Sequence, residues 1–178
     1  MLSLKTHDKE PFDLAAAVAA KPATVLIVFR GPWCPYCQEY WEDLADYAEK
    51  FEAAGAQVIG LSADKPKALR RFRRHHRLDF LMLSDPKLTS KKVLGVKKES
   101  LHPAAMSYKK EAFLQPGAFI WTQDGKLHYE WAQDPKLSNV YGAAKRPSPK
   151  KLLKRVMAAL HPEPKEDGGP EVEAPATA

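Results

Sequence analysis

Two cysteines three residues apart, in Gly31-Pro32-Trp33-Cys34-Pro35-Tyr36-Cys37, are the residues of this chain best suited to do chemistry. A thiolate is the attacking species in thiol–disulfide exchange, and a Cys-x-x-Cys pair at a helix start can have a thiol pKa lowered from ~8.5 to between ~3.5 and ~7.5. Unpaired backbone N–H groups and the helix dipole stabilise the anion there. A spacing of three along a first turn also brings the two sulfurs close enough to bond. Cys34, at the exposed end, is expected to attack, and Cys37, deeper in the helix, to resolve. Arg30 supplies a cation four residues before Cys34, and Trp33 is expected to line the approach to the thiol. Two alternatives remain at this point: a pair of inert core cysteines, or half of a zinc site. Zinc needs two further ligands, and the only clustered candidates, His75 and His76, are adjacent on a helix and so point ~100° apart.

A strand and a helix must hold such a pair. Residues 24–29, TVLIVF, form an unbroken β-branched and aromatic run, the pattern of a strand covered on both faces. Gly31-Pro32 breaks it. Over 38–54, Tyr40, Trp41, Leu44, Tyr47, Ala48 and Phe51 recur at helical spacing among charged residues, and Gly55 is a natural stop. These aromatics are expected in the core. A second strand over 57–62 completes a βαβ unit, whose strands pair in parallel. A helix over 66–77 turns Leu69 and Phe72 inward, and residues 78–83 continue as an approach strand or loop. A short helix over 88–94 ends at Gly95. Residues 97–115 are expected to hold one helix carrying Met106, Tyr108, Phe113 and Leu114. Strands over 118–122 and 126–131 flank the hairpin signal Asp124-Gly125. Ser148-Pro149 caps and starts a final helix to about residue 160. The order predicts an α/β thioredoxin-like fold, a mixed central sheet flanked by helices.

Composition sets the limits around this. The chain has 178 residues, 44% of them hydrophobic, which suits a single globular domain over 1–161. Residues 162–178 are acidic, Pro/Ala-rich and free of aromatics, and are expected to be a disordered tail. No apolar run approaches the ~20 residues of a spanning helix, and the opening residues do not continue as a secretory signal, so a cytoplasmic protein is expected. In a reducing compartment a lone cysteine pair points to redox or metal chemistry before it points to a staple. The net charge is +6 overall, with five acids and one lysine over 163–178 leaving +10 for residues 1–162. The dense cluster Arg70, Arg71, Arg73, Arg74, His75, His76, Arg77 reads as a solvated helix face. No nucleotide, flavin or haem motif is present, Cys37 being followed by Gln38, and no cofactor, metal, membrane or nucleic-acid partner is expected.

At this level of detail VFRGPWCPYC closely resembles the active-site segment of the peroxiredoxin-like branch of the alkyl hydroperoxide reductase/thiol-specific antioxidant (AhpC/TSA) family, in the thioredoxin superfamily. LSADKP resembles the family's second strand and turn, LSDPKLTSKKVLGV its "LSDP…GV" segment, PGAFIWTQDGKL its hairpin and RPSPKKLL its closing helix, so the resemblance covers roughly residues 10–160. It implies thiol-dependent reduction of hydroperoxides or protein disulfides through Cys34 and Cys37, recycled by an external thiol reductant of thioredoxin or glutathione type. It departs from the family at the Pro-x-x-x-Thr/Ser-x-x-Cys signature. Read against Cys37, the hydroxyl position is Cys34 and the proline position Arg30; read against Cys34, they are Gly31 and Ile27. The family's activating arginine usually precedes the Phe-Ile strand, where this chain has Gln115-Pro116-Gly117, so Arg30 is expected to substitute. The buried carboxylate of thioredoxins falls at Val28, and their cis proline facing the disulfide falls at Pro116.

The expectation is thus a thiol oxidoreductase with Cys34 and Cys37 catalytic and Arg30, Trp33, Pro35 and Pro116 supporting or substrate-facing. The alternatives are a disulfide reductase without peroxidase activity, and a redox-inactive module that binds through its basic helix. The sequence leaves a homodimer open.

Overall fold

The structure, a computed structural model, describes residues 3–95, 98–99, 112–133 and 146–162. Two short strands, β1 (Ser3–Thr6) and β2 (Pro11–Asp13), lead into helix α1 (Leu14–Ala19). Asp13 caps this helix by accepting from the N–H groups of Ala15 and Ala16. Periodicity announces none of the three, because strands of four and three residues are too short to show it.

The centre is built as expected. β3 (Ala23–Val28) is buried along its whole length and runs parallel to β4 (Ala56–Ser62), which runs parallel to β5 (Leu81–Ser84). Although the run in β3 is continuously apolar, its side chains divide by the two-residue period of a strand. Val25 and Ile27 enter one core with Phe29, while Leu26 and Val28 enter the other. Helices α2 (Pro35–Ala45), α3 (Ala48–Ala53) and α4 (Pro66–His75) cover the first core; α1 and α5 (Ser90–Leu94) cover the second.

The single helix expected over 38–54 is two helices. The Tyr47 N–H reaches back three residues to the Leu44 carbonyl at 3.0 Å, a tightened turn that re-aims the chain. Leu44, Ala48 and Phe51 keep helical spacing across the break, so the pattern cannot reveal it. The α4 helix ends earlier than expected because Arg77 adopts φ +51° while the Leu78 N–H bonds the Arg73 carbonyl at 2.9 Å. That is the wrap-up of a Schellman end, with arginine where glycine is usual.

The helix expected over 97–115 is not found at its described ends. Lys98–Glu99 is strand β6 and Phe113–Leu114 is strand β7, paired antiparallel. Met106 and Tyr108 lie outside the described residues, as does the expected tail beyond Pro162. The hairpin is β8 (Gly117–Thr122) and β9 (Leu127–Ala132), and Ser148 caps the last helix, α6 (Pro149–Leu160). The main sheet has seven strands in the order β2-β1-β5-β4-β3-β8-β9, with β8 antiparallel to β3. This is the predicted mixed thioredoxin-like sheet with helices on both faces. Among the described residues no helix is long and apolar enough to cross a membrane.

Candidate active site

β3 delivers the chain to the dithiol. Beyond Val28, the Phe29 N–H still bonds the Leu61 carbonyl of β4 at 3.0 Å, and the loop from Arg30 to Trp33 then turns into α2. Gly31 lets that loop pass close to a neighbour: a β-carbon there would collide with Asp64 Oδ2 and the Trp33 indole nitrogen. Pro35 takes the first helical position, where a missing N–H costs nothing. Cys34 is therefore the N-cap residue, and its carbonyl accepts from the N–H groups of Cys37 (2.9 Å) and Gln38 (3.1 Å). The Gln38 side chain ties the loop down by donating to the Pro32 carbonyl at 2.7 Å.

The two thiols are free and buried. Cys34 is 3% exposed and Cys37 0%, which corrects the expected exposure of the first thiol while the second is the deeper of the two. Their acidities differ. The Cys34 thiol is pushed far up, first because it donates its proton to the Cys37 sulfur and then by burial. Burial also pushes Cys37 up, but the Cys34 hydrogen bond, the Arg146 guanidinium and a backbone hydrogen bond from Arg30 outweigh it, holding Cys37 down at about 5. The Arg146 cation beside Cys37 favours the ionised form at that sulfur.

Two arginines flank this pair. Arg30 is 2% exposed; its Nε and Nη2 donate to Gln115 Oε1 at 3.3 and 3.2 Å, and its guanidinium lies 5.5 Å from the centre of the Phe113 ring. The half-buried Trp33 packs edge-on against the same ring at 5.2 Å, and Pro35 is exposed on the first turn of α2. Pro116 enters β8 next to Gly117, the register partner of Val28, which sets it abreast of the start of the loop. Its peptide bond is trans, correcting the expected cis proline: none of the described peptide bonds is cis. The Pro116 carbonyl accepts from the Gln133 N–H at 2.8 Å, continuing the β8–β9 ladder.

Arg146 is the residue sequence reasoning misses. It lies just before α6, its Nη2 is 3.5 Å from Cys37 Sγ, and its guanidinium sits 4.6 Å from the centre of the Tyr40 ring. No spacing links positions 109 residues apart; the only local signal is a cation preceding the Pro-Ser-Pro helix start. Asp64 and Gln115 are likewise buried polar residues near the loop that periodicity does not single out.

In the other charged cluster, Arg70, Arg73 and His76 are tied to neighbouring elements, while Arg71, Arg74 and Arg77 are exposed. Arg70 pairs with Asp8 and donates to the His7 carbonyl, Arg73 pairs with Asp79, and His76 Nδ1 lies 2.7 Å from Glu42 Oε1. Among the described residues no group of three or more His, Cys, Asp or Glu side chains is placed to hold a metal. A groove of about 790 Å3 lies between α1, the end of α5 and the β8–β9 hairpin, lined in part by Phe119 and Trp121. Those two side chains face the core opposite the one that holds the thiols, so the groove is separate from the dithiol loop.

Comparison with known proteins agrees with this layout. Peroxiredoxin Q, chloroplastic, of Populus jackii is 33% identical over 94 residues, covering 53% of this chain and 43% of that protein. The chain spans about half the length of the curated relatives it matches. Among solved structures, peroxidoxin BcpB of Mycobacterium tuberculosis gives a TM-score of 0.69 at 21% identity, covering 88% of this chain and 92% of that one. MTB dsbF gives 0.63 at 20% identity, covering 89% and 94%. These two likenesses concern the fold. The sequence model of the AhpC/TSA family matches residues 1–130, a span that holds the whole dithiol loop and its Gln115 support. On that match the chain belongs to the AhpC/TSA family.

Proposed function

We propose that the protein is a thiol-dependent peroxidase that reduces small hydroperoxides through the Cys34–Cys37 dithiol. The observation that carries this is the pair itself: two free, buried thiols three residues apart at the start of α2, with the Arg146 guanidinium 3.5 Å from Cys37 Sγ. The Cys37 thiolate attacks the outer oxygen of a hydroperoxide; a sulfur–oxygen bond forms as the oxygen–oxygen bond breaks. The leaving alkoxide takes the proton from Cys34. Cys34, now a thiolate, attacks the sulfenic sulfur of Cys37 and expels hydroxide, which solvent protonates, leaving a Cys34–Cys37 disulfide. Two electrons have passed to the peroxide, and an external thiol of thioredoxin or glutathione type returns them by exchange.

Burial of both sulfurs favours a small hydroperoxide over the disulfide of a folded protein as the oxidant. A reducing compartment such as the cytoplasm suits the recycling step. One chain contains both sulfurs, so the cycle needs no homodimer. The test is mass spectrometry after one equivalent of hydrogen peroxide, beside turnover assays with peroxide and with insulin disulfide. The expected product has lost two hydrogens and carries an internal Cys34–Cys37 bridge, with turnover on peroxide. Two free thiols after peroxide overturn the proposal, and turnover on insulin alone converts it to a disulfide reductase.

A further inference from the structure

We propose that the groove between α1, α5 and the β8–β9 hairpin is a binding site for a small amphipathic cation, an organic amine with an apolar body whose ammonium head meets Glu130. The groove's volume, about 790 Å3, lies within the roughly 300–1,000 Å3 of small-molecule sites, and its lining is chiefly apolar. Among the described residues three large apolar side chains are exposed, and two of them stand in this groove: Val93, 63% exposed, and Leu127, 41%. Single exposures scattered over a surface are ordinary. Two that share one concavity with the stacked Phe119 and Trp121 rings make a contiguous patch.

The hairpin is shaped to put Leu127 there. In β9, Tyr129 and Trp131 pack toward the core that holds the thiols, and strict alternation would send Leu127 after them. The register shifts, however, between Ile120 and Trp121: Ile120 opposes Tyr129 and Trp121 opposes Leu127, which leaves His128 as an extra residue in β9. Directly opposed residues share a face of the sheet. The bulge therefore carries Leu127 across to the groove beside Trp121, the kind of re-aiming that bulges perform next to functional sites. Glu130 opposes Phe119 and so reaches the same face by ordinary pairing.

Charge selects the occupant. The rim carries Asp13, Asp124 and Glu130 against Lys92, although the chain as a whole carries +6. Asp13 is engaged in capping α1, and Asp124 accepts from Thr122 Oγ1 and the Lys126 N–H. Glu130 makes no hydrogen bond or ion pair among the described residues. Its Oε1 lies 3.8 Å from where a β-carbon on Gly95 would sit, so it overhangs the gap between β9 and the end of α5. An ammonium head gains a partner there, whereas a carboxylate head of the same reach would face three groups of its own sign.

The test titrates the full chain with octylammonium, octanol and octanoate, which share a chain length and differ in head charge, by calorimetry with tryptophan fluorescence alongside. Octylammonium is expected to saturate a single site at least about threefold more tightly than octanol, with octanoate the weakest. Bulk attraction to a chain of net charge +6 would give the opposite order, so a preference for the cation reports the groove itself. Glu130→Gln is expected to weaken octylammonium by about two- to fivefold and to leave octanol unchanged. Glu52→Gln, which removes an exposed acid from α3 over the opposite core, is expected to change neither. Leu127→Gln should weaken octylammonium and octanol alike, and Trp121→Phe should remove the fluorescence response. Octanoate bound as tightly as octylammonium, or uptake that never saturates, overturns the proposal. So does a loss in Glu130→Gln no larger than in Glu52→Gln, an affinity indifferent to Leu127→Gln, or a response that survives Trp121→Phe.

Discussion

Arg30 and Gln115 meet across 85 residues through two hydrogen bonds, Nε and Nη2 of the arginine to one side-chain oxygen of the glutamine, with both residues 2% exposed. The arginine stands in the dithiol loop and the glutamine just before β8, so the glutamine orients a charge supplied from the β3 side. A hydrogen bond to a charged group contributes about 1.5–3 kcal/mol. Gln115→Leu removes this acceptor and is expected to destabilise the protein by about 2 kcal/mol or more, read by chemical denaturation. A cost within about 0.5 kcal/mol, the range of an ordinary surface change, would show that Arg30 does not depend on it.

Gly31→Ala is expected to disturb the loop through space. The new methyl lands on Asp64 Oδ2 and the Trp33 indole nitrogen, and Asp64 is buried and hydrogen-bonded to Ser62. Neither neighbour is the free end of a flexible chain. Overpacking of this kind costs about 1–3 kcal/mol, and the shift of Trp33 is passed directly to Cys34. Denaturation together with the rate of disulfide closure after peroxide is the measurement, and both are expected to worsen. Closure at the wild-type rate would show the loop can yield without moving the thiol.

Much of this arrangement is legible in the residues. The Cys-x-x-Cys pair, the β-branched run before it and Pro35 after it fix a strand, a turn and a helix start, and the structure has all three. What stays hidden is of two kinds. Short elements such as β1 and β2 carry no period to read. Long-range polar contacts carry no spacing: Arg30 finds Gln115, and Cys37 finds Arg146, because the sheet order and the closing helix bring them together. The division of charge between the thiols is of the second kind. Position along the helix points to Cys34, and the cation that decides otherwise arrives from 109 residues away.

The same division predicts how the single-cysteine variants differ. Cys34→Ser keeps the charged sulfur and is expected to consume one equivalent of peroxide and stop at a sulfenic acid on Cys37, with nothing to resolve it. Cys37→Ser leaves a Cys34 thiol whose burial holds its acidity down. It is expected to react at least about tenfold more slowly, given the fall in thiolate fraction. Trapping the sulfenic acid with a dimedone-type reagent followed by mass spectrometry reads both. A sulfenic acid formed readily in Cys37→Ser and not in Cys34→Ser would reverse the assignment.

The pH dependence of the wild-type protein follows with a definite sign. Cys37 is an acid whose pKa in the folded protein is lowered to about 5. Its thiolate is therefore present above that value and lost as pH falls through it, so reactivity decreases by about tenfold per pH unit below the midpoint. Between roughly pH 6 and 8 the rate with a neutral alkylating agent or a hydroperoxide is expected to be nearly flat, where an unperturbed thiol with a pKa of ~8.5 would still be climbing. The shift also bears on stability. A group whose acidity is raised by folding contributes stability that is complete above its unfolded pKa and is lost as pH falls toward the folded one. Acid should therefore loosen the dithiol end of the fold as well as silence it. A stopped-flow alkylation profile from pH 4 to 9 decides: a single step near 5 followed by a plateau is the expected form, and a profile still rising steeply at pH 8 would mean that the charge is not held on Cys37.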